Sequence, residues 1–222
     1  MKSRTTRLAF LAFAAATAGC ASNQGKDAAI GAGGGALAGA GIGALAGGGE
    51  GALIGAAIGA GTGAAAGAVI GRYMDQQQKA LKDVKGAKVE REGDKLIVRF
   101  DSAILFDTNK SALRSQSKRD LNKFAKVLVQ YKETDLIVEG HTDSTGNKDF
   151  NRKLSGARAG AVIRQLINDG VARGRMVGRG LGDAHPIADN ATPAGRQQNR
   201  RVQVQIAANQ ALRKKDAVAQ GR

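Results

Sequence analysis

The second half of the chain alternates between two spacings of apolar residues, one typical of helices and one typical of strands. Helical spacing occurs within Ser115–Tyr131 and again from Asn147 to Gly170, and Pro193–Asn199 predicts a helical turn. Strand-like runs are KVEREGDKLIVRF (88–100, a hairpin), DLIVEG (135–140), GRMVGRG (174–180) and RRVQVQI (200–206). Helices alternating with strands over residues 93–207 predict an α/β domain, a two-layer sandwich with a mixed β-sheet and helices on one face.

Residues 28–71 have a different pattern, with a glycine at every fourth position from Gly31 to Gly71 and a single charge, Glu50. Residues four apart share one helix face, so such glycines let two helices approach closely, as in membrane helix pairs. A helical hairpin turning near Gly47–Gly51 is predicted, because flexible linkers favour serine and need no four-residue phase. The pattern resembles glycine-zipper segments of bacterial envelope proteins. It leaves open whether the segment spans a bilayer, lies in one, or associates with other copies.

The N-terminus has the layout of a secretory signal, with a basic start, an apolar run and small residues. The sequence TAGC resembles a lipobox, so residues 1–19 are expected to be removed and Cys20 to be acylated, which would attach the chain to a membrane. Thr17 stands where a lipobox usually has leucine. The alternative is an ordinary signal cut after Ala18, which leaves a free thiol. Residues 20–27 would form the tether.

The distribution of charged residues bears on the kind of partner and on the two segments that flank the predicted domain. The formal net charge is +15, but basic residues do not interleave with aromatic ones, so nucleic acid is not the expected partner. Residues 72–92 are polar and charged and are predicted to be a linker with a short helix. Residues 208–222 are predicted to be a loose basic tail.

The segment Gly140–Val162, GHTDSTGNKDFNRKLSGARAGAV, carries a family resemblance. With the later RGLGDAHPIADN and NRRVQVQI, it resembles the C-terminal domain of the outer-membrane-protein-A family, which also occurs in peptidoglycan-associated lipoproteins. The resemblance covers residues 93–207. It implies noncovalent binding of peptidoglycan through the diaminopimelate of its stem peptide.

Diaminopimelate presents an amine and a carboxylate on one carbon, so its recognition requires an acid and a base held close together. Asp143 follows the end of a predicted strand, where α/β folds place ligands, and is expected to take the ammonium group. Arg158 lies on the following helix and can bind a carboxylate in bidentate fashion. By family position, the resemblance adds four supporting residues to this site: Asp107, Thr142, Asn151 and Leu154.

Catalysis is not expected. His141, Asp143 and Ser144 are crowded into four residues, and adjacent side chains of a strand point to opposite faces. With two histidines in the chain, a metal site is not expected, and nothing implies a cofactor. The sequence thus predicts a non-enzymatic lipoprotein that faces the periplasm and anchors the outer membrane to peptidoglycan. It leaves an inner-membrane anchor and the number of copies open. The alternative is a glycine-zipper oligomer or pore merely tethered to the wall.

Overall fold

The structure is a computed structural model that describes residues 67–221 together with Ile54, Gly55 and Ile58. The signal sequence, Cys20 and the rest of the glycine-rich segment lie outside the described residues. The helices are α1 (Ala68–Lys82), α2 (Ser102–Leu105), α3 (Ser115–Gln130), α4 (Lys148–Asn168), α5 (Pro193–Asn199) and α6 (Gln210–Ala219). The strands are β1 (Ala87–Glu92), β2 (Lys95–Asp101), β3 (Thr134–His141), β4 (Met176–Gly182) and β5 (Arg201–Ala208).

The described strands form one mixed sheet in the order β1-β2-β5-β3-β4. Neighbouring strands are antiparallel except β3 and β4, which are parallel and joined through α4. The predicted hairpin is confirmed, and Gly93 occupies its turn with φ +62°. The two-layer α/β fold with a mixed sheet is likewise confirmed.

Alternation along the strands divides the sheet into two faces. One face packs against the helices and supplies the main core; its strand residues include Leu96, Val98, Phe100, Leu136, Val138, Val202, Val204 and Ile206. Phe100 meets Phe124 of α3 edge to face, with ring centroids 5.4 Å apart. The opposite face, called the open face below, carries the alternate residues of the same strands and is largely polar.

The stretch predicted to be a polar linker, residues 72–92, is instead part of the folded domain. It consists of most of α1 and all of β1. Helix α1 buries a stripe at helical spacing: Ile70, Met74, Gln77 and Leu81. The last turn of the glycine-rich segment therefore belongs to the folded domain, because Ile70 in that turn packs in the domain core.

The predicted loose tail also differs from the structure, because Gln210–Ala219 is helix α6. Asn209 caps this helix by accepting a hydrogen bond from the Leu212 amide at 3.1 Å, and Leu212 is buried. The Asp216 carboxylate accepts the amides of Gly67, Val69 and Ile70 at 3.1–3.2 Å. Asp216, near the C-terminus, thus caps the N-terminal end of helix α1.

Removing the Asp216 carboxylate is expected to destabilise the domain by about 1–2 kcal/mol, because three buried or part-buried amides at the start of α1 lose their acceptor. Asp216→Ala is to be compared with Lys214→Ala, which truncates an exposed side chain on the same helix. Urea unfolding of the detergent-solubilised chain measures both. Equal free energies of unfolding for the two variants would contradict the capping role.

Two described residues of the glycine-rich segment, Ile54 and Ile58, contact the open face. Ile54 and Ile58 are buried in a cluster with Ile137, Val177 and Ala207. Every helix in the described part of the chain is too short or too polar to cross a membrane. Most of the predicted glycine-zipper hairpin lies outside the described residues.

Candidate functional site

The site predicted from the sequence lies where β3 ends and α4 begins. Strand β3 ends at His141, and the side chain of Asn147 caps α4 by accepting the amides of Asp149 and Phe150. Helix α4 lies very close to the sheet, since a Cβ built on Gly140 would stand 2.0 Å from the carbonyl oxygen of Ser155. This close approach holds the middle of α4 beside the end of the strand.

Asp143 is a buried, ionised acid in the loop after β3. Its carboxylate accepts hydrogen bonds from Arg200 Nη1 at 2.5 Å, from the Thr145 amide at 3.0 Å and from the Thr145 hydroxyl. Burial by itself would raise the pKa of Asp143, but the hydrogen bonds from Thr145 and Arg200 hold it below its ordinary value. The carboxylate is therefore charged at neutral pH.

Arg158 is buried on α4 with most of its hydrogen-bonding capacity unused. Its Nε donates to the Lys110 carbonyl at 3.0 Å, and its guanidinium carbon lies 5.2 Å from the centre of the Phe106 ring. The pKa of Arg158 is below its ordinary value, mainly because the side chain is buried. The positive charge of Arg200 lowers it further, and the negative charge of Asp143 partly opposes this. Within the described residues its two terminal nitrogens have no hydrogen-bond partner.

Asp143 and Arg158 lie within electrostatic range of each other but do not pair directly. The partner of Asp143 is Arg200, which the sequence did not assign to the site. The alternation of side chains along the strand RRVQVQI could have assigned Arg200 to the site. Val202 faces the helices, so Arg200, two residues earlier, is expected on the same side of the sheet. Asn199 next to it is structural, because its side chain binds the backbone of Ile187 and Ala188.

The four supporting residues occupy different positions. Asp107 is exposed and pairs with Arg114 at 2.9 Å and Lys110 at 3.7 Å; the Arg114 hydrogen bond is the main cause of its lowered pKa. Asn151 is buried and braces the loop, donating to the Thr145 carbonyl at 2.9 Å and the Asp143 carbonyl at 3.4 Å.

The other two supporting residues contribute less to hydrogen bonding in the site. Thr142 is buried, and its amide donates to the Gly182 carbonyl at 2.8 Å. Its hydroxyl has no partner within the described residues. Leu154 is half-buried on α4.

Asp143 supplies a buried negative charge and Arg158 a buried positive charge, so the two can offer one charge of each sign to a ligand. His141 lies on the open face, and its ring nitrogens have no hydrogen-bond partner in the described part of the chain, so it forms no triad with Asp143 and Ser144. No group of three or more His, Cys, Asp or Glu residues in the described ranges could hold a metal ion.

Comparisons with known proteins agree with this fold and motif. Residues 105–200 match the model of the OmpA family, and residues 1–79 match that of the YMGG-like Gly-zipper. The chain is 41% identical over 140 residues to the probable lipoprotein YiaD of Escherichia coli, covering 62% of this chain and 64% of that protein. It is 38% identical over 109 residues to the outer-membrane lipoprotein YfiB of Pseudomonas aeruginosa, covering 49% and 65%.

Solved structures show the same fold. A structure described as the cell wall anchor of the T6SS from Pseudomonas aeruginosa aligns with a TM-score of 0.52 and 28% identity, covering 63% of this chain and 97% of that one. A MotB-like protein from Desulfovibrio vulgaris aligns with a TM-score of 0.57 at 20% identity, covering 63% and 94%, and shows the fold alone. The sequence matches span less than two thirds of the curated lipoproteins and about a third of the Pseudomonas fluorescens porin F. The chain thus carries a match to the OmpA family over residues 105–200, after a match to the YMGG-like Gly-zipper over residues 1–79.

Proposed function

We propose that the chain is a non-enzymatic lipoprotein that anchors the outer membrane to peptidoglycan by binding the diaminopimelate of the stem peptide. The match to the OmpA family supports cell-wall anchoring, as do relatives described as an outer-membrane lipoprotein and a cell wall anchor. In this proposal an acylated Cys20 holds the mature N-terminus in the membrane, and the domain faces the periplasm. One structural observation carries the ligand assignment: a buried ionised acid, Asp143, beside a buried arginine with free terminal donors, Arg158.

The two side chains match the two charges on the amino-acid end of diaminopimelate. The ligand carboxylate would accept two parallel hydrogen bonds from the terminal nitrogens of Arg158, which are free in the described structure. The ligand ammonium would share the Asp143 carboxylate with Arg200, whose contact offsets the cost of burying that acid while the site is empty. Phe106 beneath the guanidinium and Asn151 beneath the loop keep both groups in position.

Sedimentation with purified sacculi tests the wall site. Asp143→Asn and Arg158→Gln are each expected to reduce the co-sedimenting fraction of the detergent-solubilised full-length chain at least tenfold, because each leaves one buried ligand charge unpaired. Asp149→Asn and Arg152→Gln are matched controls, since both residues are exposed on α4. Circular dichroism checks that all four variants are folded. Parental sedimentation of both site variants would refute the site assignment.

The specificity for diaminopimelate needs a separate comparison. Lysine differs from diaminopimelate by lacking one carboxylate, so sacculi with lysine at this position present the amine without its charge partner. We expect at least tenfold weaker binding to lysine-type sacculi, and competition by free diaminopimelate but not by cadaverine, which has two amines and no carboxylate. Equal binding to both types would leave wall anchoring standing and overturn the diaminopimelate assignment.

A further inference from the structure

A cavity lies on the open face of the sheet, over β4, β3 and β5. Its volume is about 760 Å³, within the range of small-molecule sites. The charged and titratable side chains that line it include Glu139, His141, Arg152, Lys153, Arg179 and Arg201. The wall-site residues Asp143 and Arg158 are not among the described residues that line it.

Glu139 is the acid of this cavity, and its charge is already satisfied. It is buried, and its carboxylate accepts hydrogen bonds from Arg179 Nε at 2.8 Å and from Gln203 Nε2 at 3.0 Å. Burial by itself would raise the pKa of Glu139, but contacts with His141 and Arg179 outweigh it and lower the pKa to about 2. Glu139 and Arg179 thus neutralise each other.

Arg201 is a buried cation whose described hydrogen-bond partners are all neutral. It is 4% exposed, and it donates to Gln203 Oε1 at 3.4 Å, the Asn199 carbonyl at 3.4 Å and the His185 carbonyl at 3.3 Å. These bonds are long, and neutral oxygens do not offset the cost of burying a full positive charge. Burial, followed by the nearby Arg99 charge, lowers the pKa of Arg201 to about 10, so it is charged at neutral pH.

His141 adds an unused donor and an unused acceptor to the same cavity. It is 2% exposed, and neither ring nitrogen has a hydrogen-bond partner within the described residues. Its Nε2 lies 3.7 Å from Glu139 Oε2, a separation at which the ring still lowers the pKa of Glu139 but makes no hydrogen bond of normal length. Burial lowers the pKa of His141, so the neutral ring has one N–H to donate and one nitrogen to accept.

We propose that this cavity is a second ligand site, which binds a small carboxylate that also carries hydroxyl or amide groups. The ligand carboxylate pairs with Arg201, and its hydroxyl or amide group bonds to His141. The exposed residues Arg152 and Lys153 at the mouth favour the approach of an anion. A sugar acid and the C-terminal end of a short peptide both present this chemistry. The site does not depend on the wall-binding proposal, because the two share no residue.

Titration calorimetry on the detergent-solubilised full-length chain tests this site with two pairs of probes. Glucuronate is compared with glucose, and acetyl-Ala-Ala is compared with its C-terminal amide. At least one carboxylate is expected to bind at least tenfold more tightly than its neutral counterpart. Binding of glucuronate alone identifies a sugar acid, and binding of the dipeptide alone identifies a peptide terminus. If neither carboxylate exceeds its neutral partner, the proposal is overturned.

Variants separate this site from the wall site and from a purely structural role. Arg201→Met, which keeps much of the volume and removes the charge, is expected to weaken carboxylate binding at least tenfold. Arg99→Met is the matched control, since Arg99 lies on the same face but is already paired with Glu90 at 2.5 Å; a change below threefold is expected. Asp143→Asn, which disables wall binding, should leave carboxylate binding intact.

A second variant, His141→Phe, tests the site if Arg201→Met does not fold. His141→Phe keeps a ring of similar shape, removes both ring nitrogens, and is expected to weaken binding at least threefold. Unchanged carboxylate binding in a folded Arg201→Met variant, or in His141→Phe where Arg201→Met does not fold, would overturn the site.

Discussion

Replacing Gly140 by alanine is expected to lower the free energy of unfolding by about 3 kcal/mol or more. The added Cβ would stand 2.0 Å from the carbonyl oxygen of Ser155, a backbone atom that cannot turn away as a flexible side chain can. Helix α4 must therefore lift from β3 in the variant. Gly180 of β4 meets the backbone of Gly156 in the same way, at 2.4 Å from a built Cβ, so the whole helix depends on close approach.

Gly71→Ala is the control, because it makes the same chemical change where the structure has room. A Cβ at Gly71 meets nothing within 4 Å among the described atoms, and the residue lies inside helix α1. Alanine there should stabilise the domain by up to about 1 kcal/mol, since glycine is the weaker helix former. Urea unfolding of both variants measures the difference. If Gly140→Ala unfolds at the parental midpoint, the helix does not lie as close to the strand as described.

The Gly140 variant should also lose wall binding, for a geometric reason. Arg158 is on α4 and Asp143 is on the loop after β3, so a shift of the helix changes the distance between the two side chains that are proposed to bind the ligand. We expect folded Gly140→Ala to sediment with sacculi at least tenfold less than the parent. Gly71→Ala should sediment normally.

Glu139→Gln is expected to cost about 3–5 kcal/mol, because it removes one partner of a buried ion pair and leaves cations uncompensated. Arg179 loses its carboxylate, and the already unpaired charge of Arg201 loses a nearby counter-charge. Glu90→Gln is the control: Glu90 pairs with Arg99 but its side chain is 56% exposed, so a loss below about 1 kcal/mol is expected.

Glu139 also predicts that the free energy of unfolding falls as the pH is lowered into the acid range. The pKa of Glu139 is about 2 in the folded protein against an ordinary 4.5, so unfolded chains take up the proton first. Its contribution is fully present above pH 4.5 and is lost as the pH falls through that value towards 2. Denaturant unfolding between pH 2 and 7 should show less acid destabilisation in Glu139→Gln than in the parent. Parallel pH profiles would show that the carboxylate is not held in its charged form by this network.

Local pattern sufficed for most of the domain. RRVQVQI alternates cleanly and forms β5, while the buried run DLIVEG forms the centre of β3. Helix α3 begins at the predicted Ser115, and α4 ends just before Gly170. These elements could be read from the sequence because an amphipathic period and a terminating glycine are local properties of the chain.

Sequence patterns predicted the residues of the site that are close together in the chain and missed the one that is distant. The motif from Gly140 to Val162 joins Asp143 and Arg158 within one strand–loop–helix unit, so their placement near each other follows from neighbouring elements. Arg200 is 57 positions from its partner Asp143, and no local period connects them. The cavity around Arg201 and His141 likewise requires β3 and β5 to lie side by side.

By itself, then, the sequence predicted the five strands, the helices α3, α4 and α5, and the motif that carries the family resemblance. Only the tertiary structure decided that α1 and α6 belong to the domain and which cations stand beside which acids. The cap of α1 shows the physical reason, because Asp216 reaches the amide of Gly67 across 149 positions. Hydropathy periods act over a few turns of chain, whereas a buried charge is satisfied by whatever group the fold brings within hydrogen-bond distance.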